Sequence, residues 1–366
     1  MKLYPLESMT LEEAMQLQFR ITDLTTKYFS GSEVLSLGDL GVVKGQNKPS
    51  FTIKVENVIK DIFGAEKAVL VRGSGTGALR EGIQSLVKAQ ETVLIHDAPV
   101  YPTTQTTFEN MGIVTVKADF NDEKSLREVL KVNHIDTALI QYTRQKPSDS
   151  YEMKNVIRIM KEMNPKMRII TDDNYAVFKV REIGIQSGAD LSAFSSFKLL
   201  GPEGIGILVG REKYISEVIR KNYSGGGQVQ GHEAMAVLRG LVYAPVMIAI
   251  QNKVLNETKA RLDKGEVHGV RASYIANAQS KVLLVEFERE IAGDVLIEAE
   301  KLGAAPHPVG AESRYEFVPM FYRVSGTFRA FDENIEKRMI RINPMRSGAD
   351  TIIRILKESM ETVEGR

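Results

Sequence analysis

From Ala68 to Asp173 the chain alternates short, mainly apolar runs with stretches that are apolar on one side only. The runs are "AVLVRG", "TVLIHD", "IVTVKAD", "TALIQYT" and "RIITDD"; between them stand "TGALREGIQSLVK", "YPTTQTTFENMG", "SLREVLKV" and "MKNVIRIMKEM". Continuous apolar runs predict strands buried on both faces, and strand after helix after strand predicts a parallel sheet in an α/β domain. Upstream, "SMTLEEAMQLQFRITDLTTKYF" opens on a capping box, Thr10 and Glu13, and predicts a helix to Phe29. Gly31 to Ser50 reads as an irregular arm, and "FTIKVENVIKDIFG" as a helix closed by Gly64. Downstream, the Gly-rich "SGGGQVQG" precedes a long helical stretch from His232 to Leu262, and "SKVLLVEFE" with "VLIEAEKLG" suggests a smaller α+β unit. The expected division is therefore an N-terminal helix and arm at 1–50, a large α/β domain at 51–250 and a small C-terminal domain at 251–366.

Composition removes whole classes of function. Lys and Arg number 48 against 47 Asp and Glu, a formal charge of +1, so no global basic field points to nucleic acid or an anionic membrane. The 366 residues include no cysteine, which excludes disulfides, thiolate metal sites and cysteine nucleophiles; no metal site is expected. The N-terminus lacks a leader pattern, and the longest apolar stretch, Gly240 to Ile250, is short of the roughly 18 residues of a membrane span. It reads as a buried helix in a cytoplasmic protein with no membrane contact.

In open α/β sheets ligands bind outside the carboxyl ends of the strands, so the residues after each predicted strand are the candidates. After the first comes "RGSGTGALR", whose glycines let backbone approach an anion, with Ser74, Gly75 and Thr76 offering amides and hydroxyls at a helix start. The same stretch satisfies a degenerate dinucleotide pattern through Gly73, Gly75 and Ala78, with Asp97 as ribose ligand, so an NAD-dependent oxidoreductase is one alternative. After the second comes "HDAPVYPTT": Tyr101 can lie on a flat ligand, and His96 is either a proton carrier or a structural hydrogen-bonder. After "RIIT" come Asp172 and Asp173, which alternation sends to opposite faces. Lys198 in "SAFSSFKLLGPEGIGILVG" is a lysine placed between a serine-flanked apolar run and a glycine loop. Burial beside other cations lowers a lysine pKa from its ordinary value of about 10.4 and frees the amine to condense with an aldehyde. Phosphate loop, aromatic, acid and lysine after strands of one sheet are the parts that hold pyridoxal phosphate.

"SSFKLLGPEGIGILVG" resembles the lysine segment of fold-type I pyridoxal-phosphate enzymes, nearest to the class V aminotransferase and selenocysteine-synthase-like branches. "SLGDLG", "HDAPVYPTT", "TDDNYAV", "IANAQSKVL" and "RINPMRSG" extend the resemblance to one enterobacterial branch over almost the whole chain. It implies a mostly parallel seven-stranded sheet with a smaller C-terminal α+β domain. It also implies Lys198 as the Schiff-base lysine, Asp172 as partner of the pyridine nitrogen, Ser74, Gly75, Thr76 and Ser195 as phosphate ligands, and Tyr101 as the ring stacker. Arg341 in "MIRINP" matches the arginine that clamps a substrate α-carboxylate; Arg144 and Arg329 are candidates for a second acidic group. The resemblance further implies a homodimer in which the Gly225, Gly226 and Gly227 turn reaches the neighbouring site.

Departures narrow the reading. Phe197 stands where class V members often carry a histidine before the lysine, and the lack of cysteine removes desulfurase chemistry. The expected activity is therefore work at the α-carbon of an amino acid, with transamination favoured. A β/γ-elimination lyase is the first alternative, and a non-catalytic cofactor-binding protein a further one.

Overall fold

The computed structural model describes residues 1–278, 280–310 and 312–365. The chain forms two units: one of Met15–Tyr142 with Tyr151–Pro245, the other of Met1–Ala14, Thr143–Ser150 and Val246–Arg366. The division falls at Pro245 within the long helix, and two short segments from earlier in the chain join the C-terminal unit.

The first helix, Leu11–Tyr28, starts as its sequence dictates. The Thr10 N–H donates to Glu13 Oε2 at 2.8 Å and the Glu13 N–H to Thr10 Oγ1 at 3.2 Å, which satisfies two otherwise orphaned donors. The arm that follows is less irregular than its composition suggests, because Ser30 and Glu33 make a second capping box that sustains the turn Gly31–Val34. Helix Ser50–Phe63 ends where Gly64 turns left-handed at φ 63°.

The first unit holds seven strands: β1 (Lys67–Arg72), β2 (Thr92–His96), β3 (Val114–Ala118), β4 (Thr137–Gln141), β5 (Arg168–Asp172), β6 (Leu191–Ser195) and β7 (Ile205–Gly210). Their order is β1-β7-β6-β5-β4-β2-β3, parallel throughout except that β7 runs against both of its neighbours. Six of its strands are mostly buried on both faces, which is why they are apolar runs rather than alternations, whereas the edge strand β3 is exposed at Val114, Thr115 and Lys117. Leu139, Ile170 and Leu208 pack with Ile83 and Leu86 of helix Ser74–Leu86. Their neighbours Ala138, Ile140 and Ile169 pack with Val156 and Met160 of helix Met153–Met163. Each fully buried Ile or Leu contributes about 1.5–3 kcal/mol, so one residue of register slip would exchange the two cores and is strongly opposed.

The other unit carries β8 (Val270–Ala278), β9 (Ser280–Phe287), β10 (Met320–Arg323) and β11 (Met339–Asn343), an antiparallel sheet ordered β10-β11-β9-β8. Leu283, Val285, Ile340 and Ile342 on one face pack with Val295 and Ala299 of helix Ala292–Lys301 and with Ile352, Ile355 and Leu356 of helix Ala349–Glu364. Alternation then puts Arg341 on the other face, its guanidinium carbon 4.0 Å from the centre of the Tyr322 ring.

Helix Gly231–Asp263 contains a window long and apolar enough to cross a membrane, contrary to the sequence expectation, but 56% of that window is buried within the chain, as in a core helix.

Candidate functional site

The register of the first sheet gathers the candidate residues at one edge. Arg72 pairs with Ile205 and Ser195 with Gly206, so the carboxyl ends of β1 and β6 flank the start of β7. Immediately after β1, Gly73 takes φ 93° and Ser74 φ 58°, and both amides donate to the Gly204 carbonyl at 2.9 and 3.1 Å. The turn is thereby fixed against the loop that follows Lys198. It launches helix Ser74–Leu86 with the N–H groups of Gly75 and Thr76 lacking an acceptor among the described residues. Two open amides at a helix start, beside two hydroxyls, suit a phosphate. The hydroxyls are those of Ser74 and Ser195, whose oxygens lie 2.6 Å apart.

Asp172 ends β5 on the face that carries helix Ser74–Leu86. Burial pushes its carboxyl above the ordinary carboxylate range, while Asn174 and the positive charge of Lys198 act in the opposite direction. Asn174 donates twice to Oδ1, from its backbone N–H at 3.1 Å and from Nδ2 at 2.7 Å. The Asn174 side-chain oxygen, Oδ1, in turn accepts the Ser195 N–H at 3.1 Å. One side chain thus ties the acid after β5 to the serine at the end of β6.

Asp173 points the other way, as alternation requires. It is fully buried, with Oδ2 accepting from Thr171 Oγ1 at 2.8 Å and from the Gly184 N–H at 3.3 Å. Burial, with a smaller push from the charge of Asp172, raises it to about 7. Only Asp172 shares the face of the lysine.

Lys198 sits in the single turn Phe197–Leu199 after β6. That turn is held at one end by the Phe197 N–H donating to Ser195 Oγ at 3.2 Å, and it ends with Leu200 at φ 63°. Helix Gly231–Asp263 backs it at Gly240, where a Cβ would fall 2.6 Å from the Gly201 nitrogen and 2.8 Å from the Leu199 carbonyl oxygen. The Lys198 ammonium lies 4.6 Å from the centre of the Tyr175 ring, and Lys179 stands 5.5 Å from the same centre. Tyr175 holds this position with φ 64°, a left-handed conformation that costs a non-glycine residue free energy and clusters at functional sites.

Tyr101 caps helix Pro102–Met111 and is half exposed, at 49%. It is linked to the phosphate loop through Thr103, whose hydroxyl meets that of Thr76 at 3.2 Å. His96 is a structural residue: its ring is buried against Phe120 and Tyr151, and Nδ1 accepts the Phe120 N–H at 3.1 Å. The turn at Gly225, Gly226 and Gly227 is a single loop of 3-10 helix, exposed at Gly226 and Gly227. In the other unit, Arg144 is buried and donates from Nε to the Tyr4 carbonyl at 3.0 Å. Arg341 donates from Nε to the Arg323 carbonyl at 2.6 Å and lines an open depression that Arg329 also lines.

The dinucleotide alternative does not survive the topology. A doubly wound nucleotide-binding sheet has its first strand in the centre, at the point where strand order reverses; here β1 is at the sheet edge beside the antiparallel β7, and Asp97 is paired with Lys117 at 3.7 Å. Sequence reasoning missed Asn174 and Tyr175. Their position directly after the two acids was the only available signal.

Comparison with known proteins places the chain in a family. The aminotransferase class-V model matches residues 45–238, and the model of the YhfS-like C-terminal domain matches residues 256–356. YhfS of Escherichia coli (strain K12) is 50% identical over 363 residues, covering 99% of this chain and all of that protein. The crystal structure of Escherichia coli YhfS, described as pyridoxal-5'-phosphate dependent, superposes with a TM-score of 0.97 over the same shares of the two chains. A carbon-sulfur lyase involved in aluminum resistance from Clostridium novyi NT shares the fold at 15% identity, with a TM-score of 0.72 over 96% of this chain and 91% of that one. A methionine gamma lyase from Micromonospora echinospora shares it at 16% identity and 0.69 over 94% and 98%. The chain belongs to the aminotransferase class-V family of fold-type I, pyridoxal-phosphate-dependent enzymes.

Proposed function

We propose that this chain binds pyridoxal phosphate through Lys198 and acts at the α-carbon of an amino acid, with transamination as its reaction. The observation that carries the reading is the convergence at one sheet edge of open amides, a lysine and a buried acid. The donor set fits the group: Gly75 and Thr76 N–H with the Ser74 and Ser195 hydroxyls for a phosphate, and Asp172 for a protonated ring nitrogen. When bound, the cofactor supplies an aldehyde for an amine and a ring that withdraws electrons from the α-carbon.

The remaining roles fall to the chain. Both Asn174 donors go to Oδ1 of Asp172, so among the described residues Oδ2 would be left to hold a proton on the ring nitrogen. Tyr101 would lie on the cofactor ring, and Arg341 would take the α-carboxylate through a bidentate guanidinium contact. Lys198 would hold the cofactor's aldehyde and, as a free amine, would be the base that takes the α-proton and the acid that delivers it to the cofactor carbon, as transamination requires. The turn of Gly225, Gly226 and Gly227, exposed at its last two residues, would reach the site of a second copy in a homodimer. The match of residues 45–238 to the aminotransferase class-V model supports transamination.

The test adds single amino acids to the cofactor-loaded protein and assays three products. Stoichiometric keto acid and pyridoxamine phosphate support transamination; ammonia without pyridoxamine phosphate replaces it with elimination of a β or γ group.

A further inference from the structure

The depression beside Arg341 has a volume of about 310 Å³ and is lined by Pro306, Pro308 and Tyr322 together with His307, Arg323, Arg329 and Arg341 among its polar residues. Three guanidinium groups border it, and none of its lining residues is acidic. The carboxylate nearest to hand is Glu336, which is shared: its Oε2 pairs with Arg323 at 3.1 Å and with Arg329 at the longer distance of 3.6 Å. Arg323 therefore takes the better half of the charge the two arginines share. Among the described residues the Arg329 Nε has no acceptor, and the rest of its guanidinium, on a side chain 43% exposed, has only the long contact to Glu336. A buried donor without an acceptor costs free energy, and a guanidinium short of counter-charge is a site for a carboxylate.

We infer that this depression selects an amino acid carrying a second acidic group, with Arg341 taking the α-carboxylate and Arg329 the distal carboxylate. The inference rests on the proposed role of Arg341. A single carboxylate would satisfy one guanidinium and leave Arg329 as it is. A dicarboxylate adds the counter-charge that Glu336 leaves divided between Arg323 and Arg329, and a volume near 300 Å³ is at the small end of the range for ligand sites. Arg144, the other candidate for this task, is committed to the Tyr4 carbonyl and does not line the depression.

The test compares two unreactive four-carbon probes, succinate and butyrate, by calorimetric titration of the cofactor-loaded full chain. Succinate is expected to bind about tenfold or more tightly than butyrate. R329Q brings succinate down to the level of butyrate, and R329K recovers part of the difference. Equal affinity of the two probes in the wild type, binding of neither, or a preference that R329Q leaves intact would each overturn the inference. The cofactor's absorbance separates the two claims: a lysine-bound band without succinate preference sinks only the dicarboxylate site. Succinate preference lost in R329Q without such a band sinks only the cofactor reading.

Discussion

Asn174 is the point at which the acid, the serine of β6 and the phosphate loop meet, and Gly75 is the residue that makes room for it. A Cβ at position 75 would lie 2.6 Å from Asn174 Oδ1 and 2.7 Å from Nδ2. The Asn174 side chain cannot swing aside freely, because Nδ2 is bonded to Asp172 at 2.7 Å and Oδ1 to the Ser195 N–H at 3.1 Å. Overpacking of this kind costs about 1–3 kcal/mol. Gly75→Ala should therefore weaken cofactor binding by roughly 5- to 150-fold. Asn174→Ala gives up a charge-assisted bond and strands the Ser195 N–H, at a cost of similar size, about 1.5–3 kcal/mol. In the double variant the methyl group occupies the space the amide has left, so its cost should not exceed that of Asn174→Ala alone. Titration of the four apoproteins with pyridoxal phosphate gives the coupling energy, expected at about 1–3 kcal/mol in favour of the double variant. Penalties that add to within about 0.5 kcal/mol would refute the reasoning, since the two positions would then be independent.

Two further outcomes follow from the same geometry. Gly240→Ala drives a Cβ into backbone atoms of Leu199, Leu200 and Gly201 that have no flexible end to yield, so it should lower the thermal midpoint and abolish cofactor binding together; a stable variant that binds normally would contradict this placement of the lysine turn. Asp173 keeps a proton in the folded chain up to about pH 7 that the unfolded chain surrenders near 3.8, so stability falls as pH rises between those values and this contribution then levels off. Asp173→Asn should flatten the fall, which urea midpoints at about pH 5 and about pH 7.5 will show; an unchanged slope would place the titration elsewhere.

Much of this was legible in the sequence because the signals are local. The Thr10 and Glu13 box, the Gly64 cap and the mainly apolar strands each depend on residues a few positions apart, and each is formed. Alternation separated Asp172 from Asp173 for the same reason. The strand Val270–Ala278 was not foreseen: its "VRASYIANA" mixes charged, polar and small residues and gains its place only by pairing along β9. Nor did anything local predict that Thr143–Ser150, in the middle of the first unit's sequence, would join the C-terminal unit. The role of Asn174 depends on Gly75 and Ser195, distant in sequence and brought together only by the order of β1, β7, β6 and β5. Tyr175 was hidden because a left-handed backbone at a tyrosine has no compositional signature.

The central claim is that Lys198 carries the cofactor, and trapping the linkage tests it most directly. Borohydride reduction of the pyridoxal-phosphate-loaded protein, followed by peptide mass mapping, should place the added mass on the peptide containing Lys198, and Lys198→Ala should lose both the label and the visible absorbance band. Label on Lys179, whose ammonium lies 5.5 Å from the same Tyr175 ring, or on no lysine at all, would contradict it.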